Sequence, residues 1–174
     1  MNWTELLREE IEQGYKTTER LMGLVTDKEL SWRPSTGSNW MTMGQLLMHI
    51  TTACGACCRG FATGDWGFPE GTDFSSLPPD AMLPPAEKLP SVKSVADAKD
   101  LLSKDKAVAL EVLATSNERD LTHKMAVAPW DKSEGALGHR VLEMVAHLNS
   151  HKTQLFFYLK LQGKPVNTGH LWGA

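Results

Sequence analysis

The sequence has few cysteines, no long apolar run and no concentration of charge of one sign. Its three cysteines, Cys54, Cys57 and Cys58, are grouped in one segment, which does not fit a disulfide framework. No uninterrupted apolar stretch is long enough to span a bilayer. Lysine and arginine are scattered along a chain of formal net charge -3, which argues against a nucleic-acid surface or an anionic-membrane surface.

The composition is typical of a soluble globular protein. A chain of 174 residues is long enough for one domain with its own hydrophobic core. The stretch before Trp3 is too short for a signal peptide, and charged residues begin at Glu5. We therefore expect a cytoplasmic protein with a single domain over residues 1–174.

Apolar periodicity predicts four long helices, at about residues 3–25, 43–61, 95–117 and 135–161. Thr42 and Ser94 are the predicted N-caps of the second and third helices, and Gly163 with Pro165 ends the last. The predicted fold class is all-α, an antiparallel four-helix bundle with a long crossover connection between helices 2 and 3.

Three segments between and after these helices are predicted to be irregular. The proline-rich insert at about 64–91 carries six of the nine prolines. Its apolar residues, including Trp66 and Phe74, predict that it packs on the body of the protein, where it could roof a site. Residues 123–130 are predicted to be an extended connection, and the tail after Gly163 to contain no further helix.

Two histidines lie four residues apart in the segment EMVAHLNSHK of the last predicted helix. A step of four residues places His147 and His151 on one helix face, about 6 Å apart along the axis. Met144, Leu155 and Tyr158 follow the same stripe, so the pair is expected to point inward. Buried imidazoles need partners. A divalent cation, a hydrogen-bonded pair, or one inward and one surface histidine would each satisfy that need.

A third histidine, His49, lies on the apolar face of the second predicted helix, beside Leu46 and Ile50. Alone, it would be interpreted as a core residue whose ring nitrogen atoms are hydrogen-bonded. Facing a histidine pair on another helix, it predicts a three-histidine metal site with a coordination position open to water or substrate. The alternative is a polar core cluster without metal. Three imidazoles suit zinc, nickel, copper or iron.

Two segments carry a family resemblance. LSWRP…NWMTMGQLLMHI and HLNSHKTQLFFYLKLQGKPV are similar to segments of the DinB-like (YfiT-like) four-helix-bundle superfamily. The resemblance implies one divalent metal ion, often zinc or nickel, held by His49, His147 and His151. It also implies that the chain is a thiol-dependent transferase that uses bacillithiol, mycothiol or glutathione, or else an isomerase or a hydrolase. A homodimer is the oligomeric state that the resemblance implies.

Three functions remain open from the sequence. The first is a metal-dependent thiol S-transferase that acts on a small molecule, with the metal lowering the pKa of a low-molecular-weight thiol. The second is a hydrolase with a metal-bound water, for which Glu143, one turn before His147, is the candidate base. Glu143 could instead hold a ligand histidine or be solvated. The third is a non-catalytic metal-binding stress or interaction protein.

Other polar residues have a simpler expected role. Gln154 would hydrogen-bond a ligand or pack. Asp105 lies in an apolar stripe and either orients a histidine or, as we favour, marks a bend or partial exposure. The three cysteines are expected to be core packing residues. The remaining histidines are expected at the surface: His123, His139 and His170.

Overall fold

The computed structural model describes residues 2–69, 72, 77–78 and 84–173, and in these ranges the chain is mostly helical. The described helices are α1 (Trp3–Met22), α2 (Met43–Ile50), α3 (Gly55–Thr63), α4 (Val95–Thr115), α5 (Glu118–His123), α6 (Leu137–Leu161) and α7 (Thr168–Trp172). One small sheet joins β1 (Met125–Val127) to β2 (Glu134–Ala136). The predicted all-α class is confirmed, while the antiparallel order of four bundle helices stays a prediction.

The core lies between α1, which packs against both α4 and α6, and α3, which packs against the same two helices; α2 packs beside them against α6. Helix α1 begins with a capping box between Asn2 and Glu5. The apolar stripe of α1 then faces the core with residues such as Leu7 and Ile11, which are 0% exposed. Helix α6 contacts α1, α2 and α3, so its inward face can bring side chains from distant parts of the chain together.

The predicted continuous helix over residues 43–61 is wrong, because the chain leaves helical geometry between Ile50 and Gly55. Helix α2 ends at a cap where the Thr51 amide donates to several carbonyls, including that of Leu47. Helix α3 starts afresh at Gly55, and Cys54 before it has φ -127° and ψ -67°.

The prediction that Asp105 is partly exposed or marks a bend is also wrong. This side chain is 6% exposed in an uninterrupted α4 and binds the first amides of α3.

The predicted extended connection at residues 123–130 pairs with residues that were assigned to the last helix. Met125 faces Ala136 and Val127 faces Glu134 in an antiparallel register, so α6 begins at Leu137 rather than near Gly135. The buried side chain of Arg140 fastens this hairpin, since it donates to the carbonyl oxygens of Ala126 and Ser133.

The tail and the insert also differ in detail from expectation. The prediction of no further helix after Gly163 is wrong, because α7 forms with Asn167 as its N-cap. In the insert, Trp66 packs edge-on against Phe61 with ring centroids 4.9 Å apart, which confirms packing on the body at that residue. Phe74 lies outside the described residues. None of the described helices combines the length and the apolar character that a membrane crossing needs.

Candidate metal centre

The structure brings His49, His147 and His151 together between α2 and α6. The Nε2 atom of His151 lies 3.0 Å from that of His49 and 3.0 Å from that of His147. All three side chains are half-buried, and within the described residues they form a group whose ligand atoms could hold a metal ion. The predicted inward direction of the histidine pair and its meeting with His49 are therefore confirmed.

A backbone carbonyl orients the His147 ring. Its Nδ1 atom lies 3.0 Å from the carbonyl oxygen of Ala53, in the segment between α2 and α3. A carbonyl can only accept, so Nδ1 carries the proton, and the Nε2 atom of neutral His147 presents a lone pair toward the other histidines.

A relay of side chains orients His151 in the same sense. The Tyr158 hydroxyl donates to the carbonyl of Met41 at 3.0 Å, so it accepts from the Gln154 amide at 3.5 Å. The Gln154 oxygen then faces Nδ1 of His151 at 2.9 Å and accepts its proton. Gln154 thus forms a hydrogen bond with His151, a candidate metal ligand, which is one of the two roles that the sequence left open for it. The Nε2 atom of His151 therefore also presents a lone pair.

Two lone pairs that face each other at 3.0 Å repel unless a cation or a proton lies between them. Burial lowers the pKa of both His147 and His151, which disfavours a proton. Burial, together with His151 and His147, lowers the pKa of His49 to about 4. The histidines are therefore neutral at pH 7, which is the state that binds metal.

The spacing of the nitrogen atoms agrees with a shared metal ion. A metal held at about 2.0–2.1 Å by two imidazoles places their nitrogen atoms roughly 2.8–3.4 Å apart, for angles between octahedral and tetrahedral. The observed separations of 3.0 Å lie within this range. The donor set and its spacing therefore fit a divalent transition metal.

The carboxylate of Glu143 contacts Arg140 and His139 rather than His49, His147 or His151. One oxygen accepts from Arg140 at 2.8 Å, and the other lies 3.6 Å from Nδ1 of His139. Arg140 is itself buried, with its guanidinium 5.4 Å from the centre of the Phe61 ring. The role of Glu143 as a catalytic base stays a prediction.

The three cysteines do not form a metal site with the histidines. Cys54 and Cys58 are 0% exposed, with their sulfur atoms 3.9 Å apart, which confirms the expected packing role for these two, while Cys57 is half-buried. Burial raises the pKa of the Cys57 thiol to about 12. A hydrogen bond to Cys54, followed by burial, raises the pKa of Cys58. These two thiols therefore remain protonated at neutral pH.

Sequence reasoning missed several residues that support the site. The carbonyl of Ala53 carries no signal in its side chain, and the relay through Tyr158 to Met41 joins positions 117 residues apart. Tyr15 lies among the buried apolar residues of α1, yet its hydroxyl donates to Asp105. The remaining histidines are exposed as predicted: His123, His139 and His170.

A surface groove of about 540 Å³ lies near the relay residues. It is lined by the loop before α2, including Arg33, Asn39 and Trp40. The Trp40 ring also contacts the Tyr158 ring edge-on, with centroids 6.2 Å apart. The groove is therefore linked to the relay that orients His151 through this one ring contact, and none of the three histidines lines it.

Comparison with known proteins identifies a family and a fold. Residues 10–155 match the family model of the DinB superfamily. A solved structure of a candidate DinB family member from Exiguobacterium sibiricum 255-15 is 20% identical, with a TM-score of 0.65 over 98% of each chain. At that identity the likeness shows the fold alone. The comparison with curated proteins gives no match.

Proposed function

Because this chain belongs to the DinB superfamily, we propose that it is a metal-dependent enzyme whose His49, His147 and His151 hold one divalent ion, zinc or nickel. The observation that carries the proposal is the direction of the imidazole lone pairs. Ala53 and Gln154 fix the tautomers so that two Nε2 atoms aim at one point. Three protein ligands leave a coordination position for a substrate.

The proposed reaction is transfer of a low-molecular-weight thiol to a small electrophile. A bound divalent ion supplies Lewis acidity, which favours the thiolate form of the thiol. The sulfur then forms a bond to an electrophilic carbon, and the bond between that carbon and its leaving group breaks. The leaving group departs with both electrons of the broken bond, and the thiol proton passes to solvent. The groove beside Trp40, whose ring contacts Tyr158 of the His151 relay, would hold the substrate.

Two observations support a thiol as co-substrate. Cys57 and Cys58 are kept protonated by their raised pKa values, so these two residues supply no thiolate at neutral pH. Glu143 is paired with Arg140, which leaves this carboxylate less available to take a proton from water. A nucleophile from a small thiol requires neither group.

Hydrolysis is the second candidate, favoured by the place of Glu143 one turn before His147 on α6. A carboxylate at that distance could deprotonate a water molecule after release from Arg140. Non-catalytic metal binding is the third candidate. The lining of the two grooves, of about 580 and 540 Å³, supports it, because none of the three histidines lines either groove.

The first experiment is elemental analysis of the purified protein beside two matched variants. His49→Ala removes a ligand, and His123→Ala removes an exposed histidine. We expect about one divalent ion per chain in the wild type and in His123→Ala, and none in His49→Ala. Equal metal content in all three proteins would refute the assignment of His49, and no metal in the wild type would refute the site.

The second experiment separates the reactions. The metal-loaded protein is incubated with a chromogenic aryl halide and, in turn, glutathione, bacillithiol or mycothiol, and conjugate formation is measured. Turnover that requires one thiol and is lost in His49→Ala supports S-transfer. Turnover of ester substrates without any thiol would favour hydrolysis, and a metal-loaded protein inactive in both assays would favour the non-catalytic candidate.

A further inference from the structure

The break between α2 and α3 creates the hydrogen-bond acceptor of His147. In a continuous helix, the carbonyl of Ala53 would accept from the amide of Cys57, four residues on. In the described hydrogen bonds, helical pairing resumes one residue later, with the Cys58 amide donating to Cys54 at 2.8 Å. The Ala53 carbonyl instead accepts from Nδ1 of His147 at 3.0 Å.

The side chain of Asp105 holds the chain in this broken geometry. Its two oxygens bind separate amides at the start of α3, with Oδ2 accepting from Gly55 at 2.9 Å and Oδ1 from Ala56 at 2.8 Å. The Tyr15 hydroxyl adds a third bond to Oδ2 at 2.6 Å. Helix N-termini present unpaired amides, and a buried carboxylate that accepts from two of them fixes the direction of the helix.

Close packing reinforces this arrangement. A methyl group at Gly55 would overlap the backbone carbonyl oxygen of Asp105 and would lie 2.9 Å from its Oδ1 atom. Glycine therefore allows α3 to start directly against α4. The Ala53 carbonyl, two residues before Gly55, lies 3.0 Å from Nδ1 of His147 on α6.

We propose that Asp105 is a positioning residue of the metal centre. By binding the amides of Gly55 and Ala56, it places the Ala53 carbonyl where that carbonyl holds the His147 ring in its Nδ1–H tautomer. The metal part of this inference rests on the proposed function. The hydrogen-bond part concerns the chain alone and can be tested without metal.

The test compares Asp105→Asn with Asp100→Asn, a change of an exposed aspartate on the same helix. Asparagine keeps one acceptor oxygen and turns an NH₂ group toward one of the two amides, so one bond to α3 is lost. We expect Asp105→Asn to weaken Zn²⁺ binding about 10- to 100-fold, the usual effect of removing support from a metal ligand. Asp100→Asn should bind Zn²⁺ like the wild type, as measured by competition with a chromogenic chelator.

A second readout separates positioning from general loss of stability. Nitrogen NMR of the metal-free protein reports the tautomer of His147, and Asp105→Asn should convert a single Nδ1–H form into a mixture. Leu113→Ala removes a buried side chain elsewhere on α4, so it should lower the melting temperature without changing either readout. If Leu113→Ala changed both readouts as much as Asp105→Asn, the effect would be one of stability and the proposal would be wrong.

Tyr15→Phe keeps the test decisive if Asp105→Asn does not fold. It removes the donor to Oδ2 and an acceptor that lies 3.1 Å from the Gly55 amide, and it leaves both bonds from Asp105 to backbone amides. We therefore expect a two- to tenfold loss of Zn²⁺ affinity, the equivalent of about one hydrogen bond. Wild-type affinity and a single His147 tautomer in every folded variant would overturn the proposal. If the wild type bound no Zn²⁺, the proposed function would fail, and the tautomer of the metal-free protein would still test Asp105.

Discussion

The contact of α3 with α4 at Gly55 leads to a quantitative prediction for Gly55→Ala. The added methyl carbon would lie 2.8 Å from the carbonyl carbon of Asp105, whereas carbon atoms in ordinary contact are about 3.5–4.0 Å apart. The carbonyl oxygen of Asp105 would lie closer still, so the two helices would have to separate by roughly 1.5 Å to restore ordinary contact. That shift would also stretch the bond of 2.8 Å between the Ala56 amide and the carboxylate.

The expected cost follows from these two effects. Overpacking a close contact costs about 1–3 kcal/mol, and the upper end applies because the obstacle is backbone rather than a flexible side chain. A weakened hydrogen bond adds about 1 kcal/mol. We therefore expect the free energy of unfolding to fall by about 4 kcal/mol, which lowers the melting temperature by roughly 8–16 °C for a chain of this size.

Gly14→Ala is the matched control, since Gly14 is also a buried helical glycine. A methyl there would lie 3.6 Å from both Leu148 and Asn149, which is ordinary contact. Alanine also favours the helix by about 0.5–1 kcal/mol over glycine, so this variant should melt at or above the wild-type temperature. Thermal unfolding followed by circular dichroism compares the two. A Gly55→Ala variant as stable as Gly14→Ala would show that the reasoning about α3 and α4 is wrong.

Two further predictions concern the site. For the metal-free protein, the pKa of His49 falls from 6.5 in the unfolded chain to about 4 in the fold, so the unfolded state binds more protons between these values. Urea unfolding with a chelator present should therefore show a loss of roughly 1–3 kcal/mol of stability as the pH falls from 6.5 to 4, and His49→Gln should reduce that loss. Glu143→Gln should spare metal binding, because its contacts are with Arg140 and His139, and should reduce any hydrolysis if Glu143 is the base. Unchanged hydrolysis would exclude that role.

The parts of the site that were predictable depend on local spacing. His147 and His151 share a helix turn, so their common face follows from helix geometry alone. The apolar neighbours of His49 indicated its inward direction. Gln154 was identified for the same reason, since it lies three residues from His151 on one helix.

The end of helical geometry after Ile50 could not be predicted from residues 51–54, because the carboxylate that stabilises it, that of Asp105, is remote in the sequence. Periodicity continues through residues 51–54, and the amide of Gly55 is bound by a carboxylate 50 residues away. The strands β1 and β2 have three residues each, which is too short for an alternating pattern. The short helix α7 did leave a local signal, with Asn167 before it and Gly173 after it.

The two imidazoles that lie 3.0 Å apart, His49 and His151, are separated by 102 residues of chain. An ion bound to both would therefore act as a reversible crosslink that closes more than half of the polypeptide into one loop. Chain-entropy arguments assign about 4–5 kcal/mol to a permanent crosslink around a loop of this length. The metal concentration would then determine what fraction of the chains carries this crosslink. Chains with bound metal would unfold more slowly than chains without it.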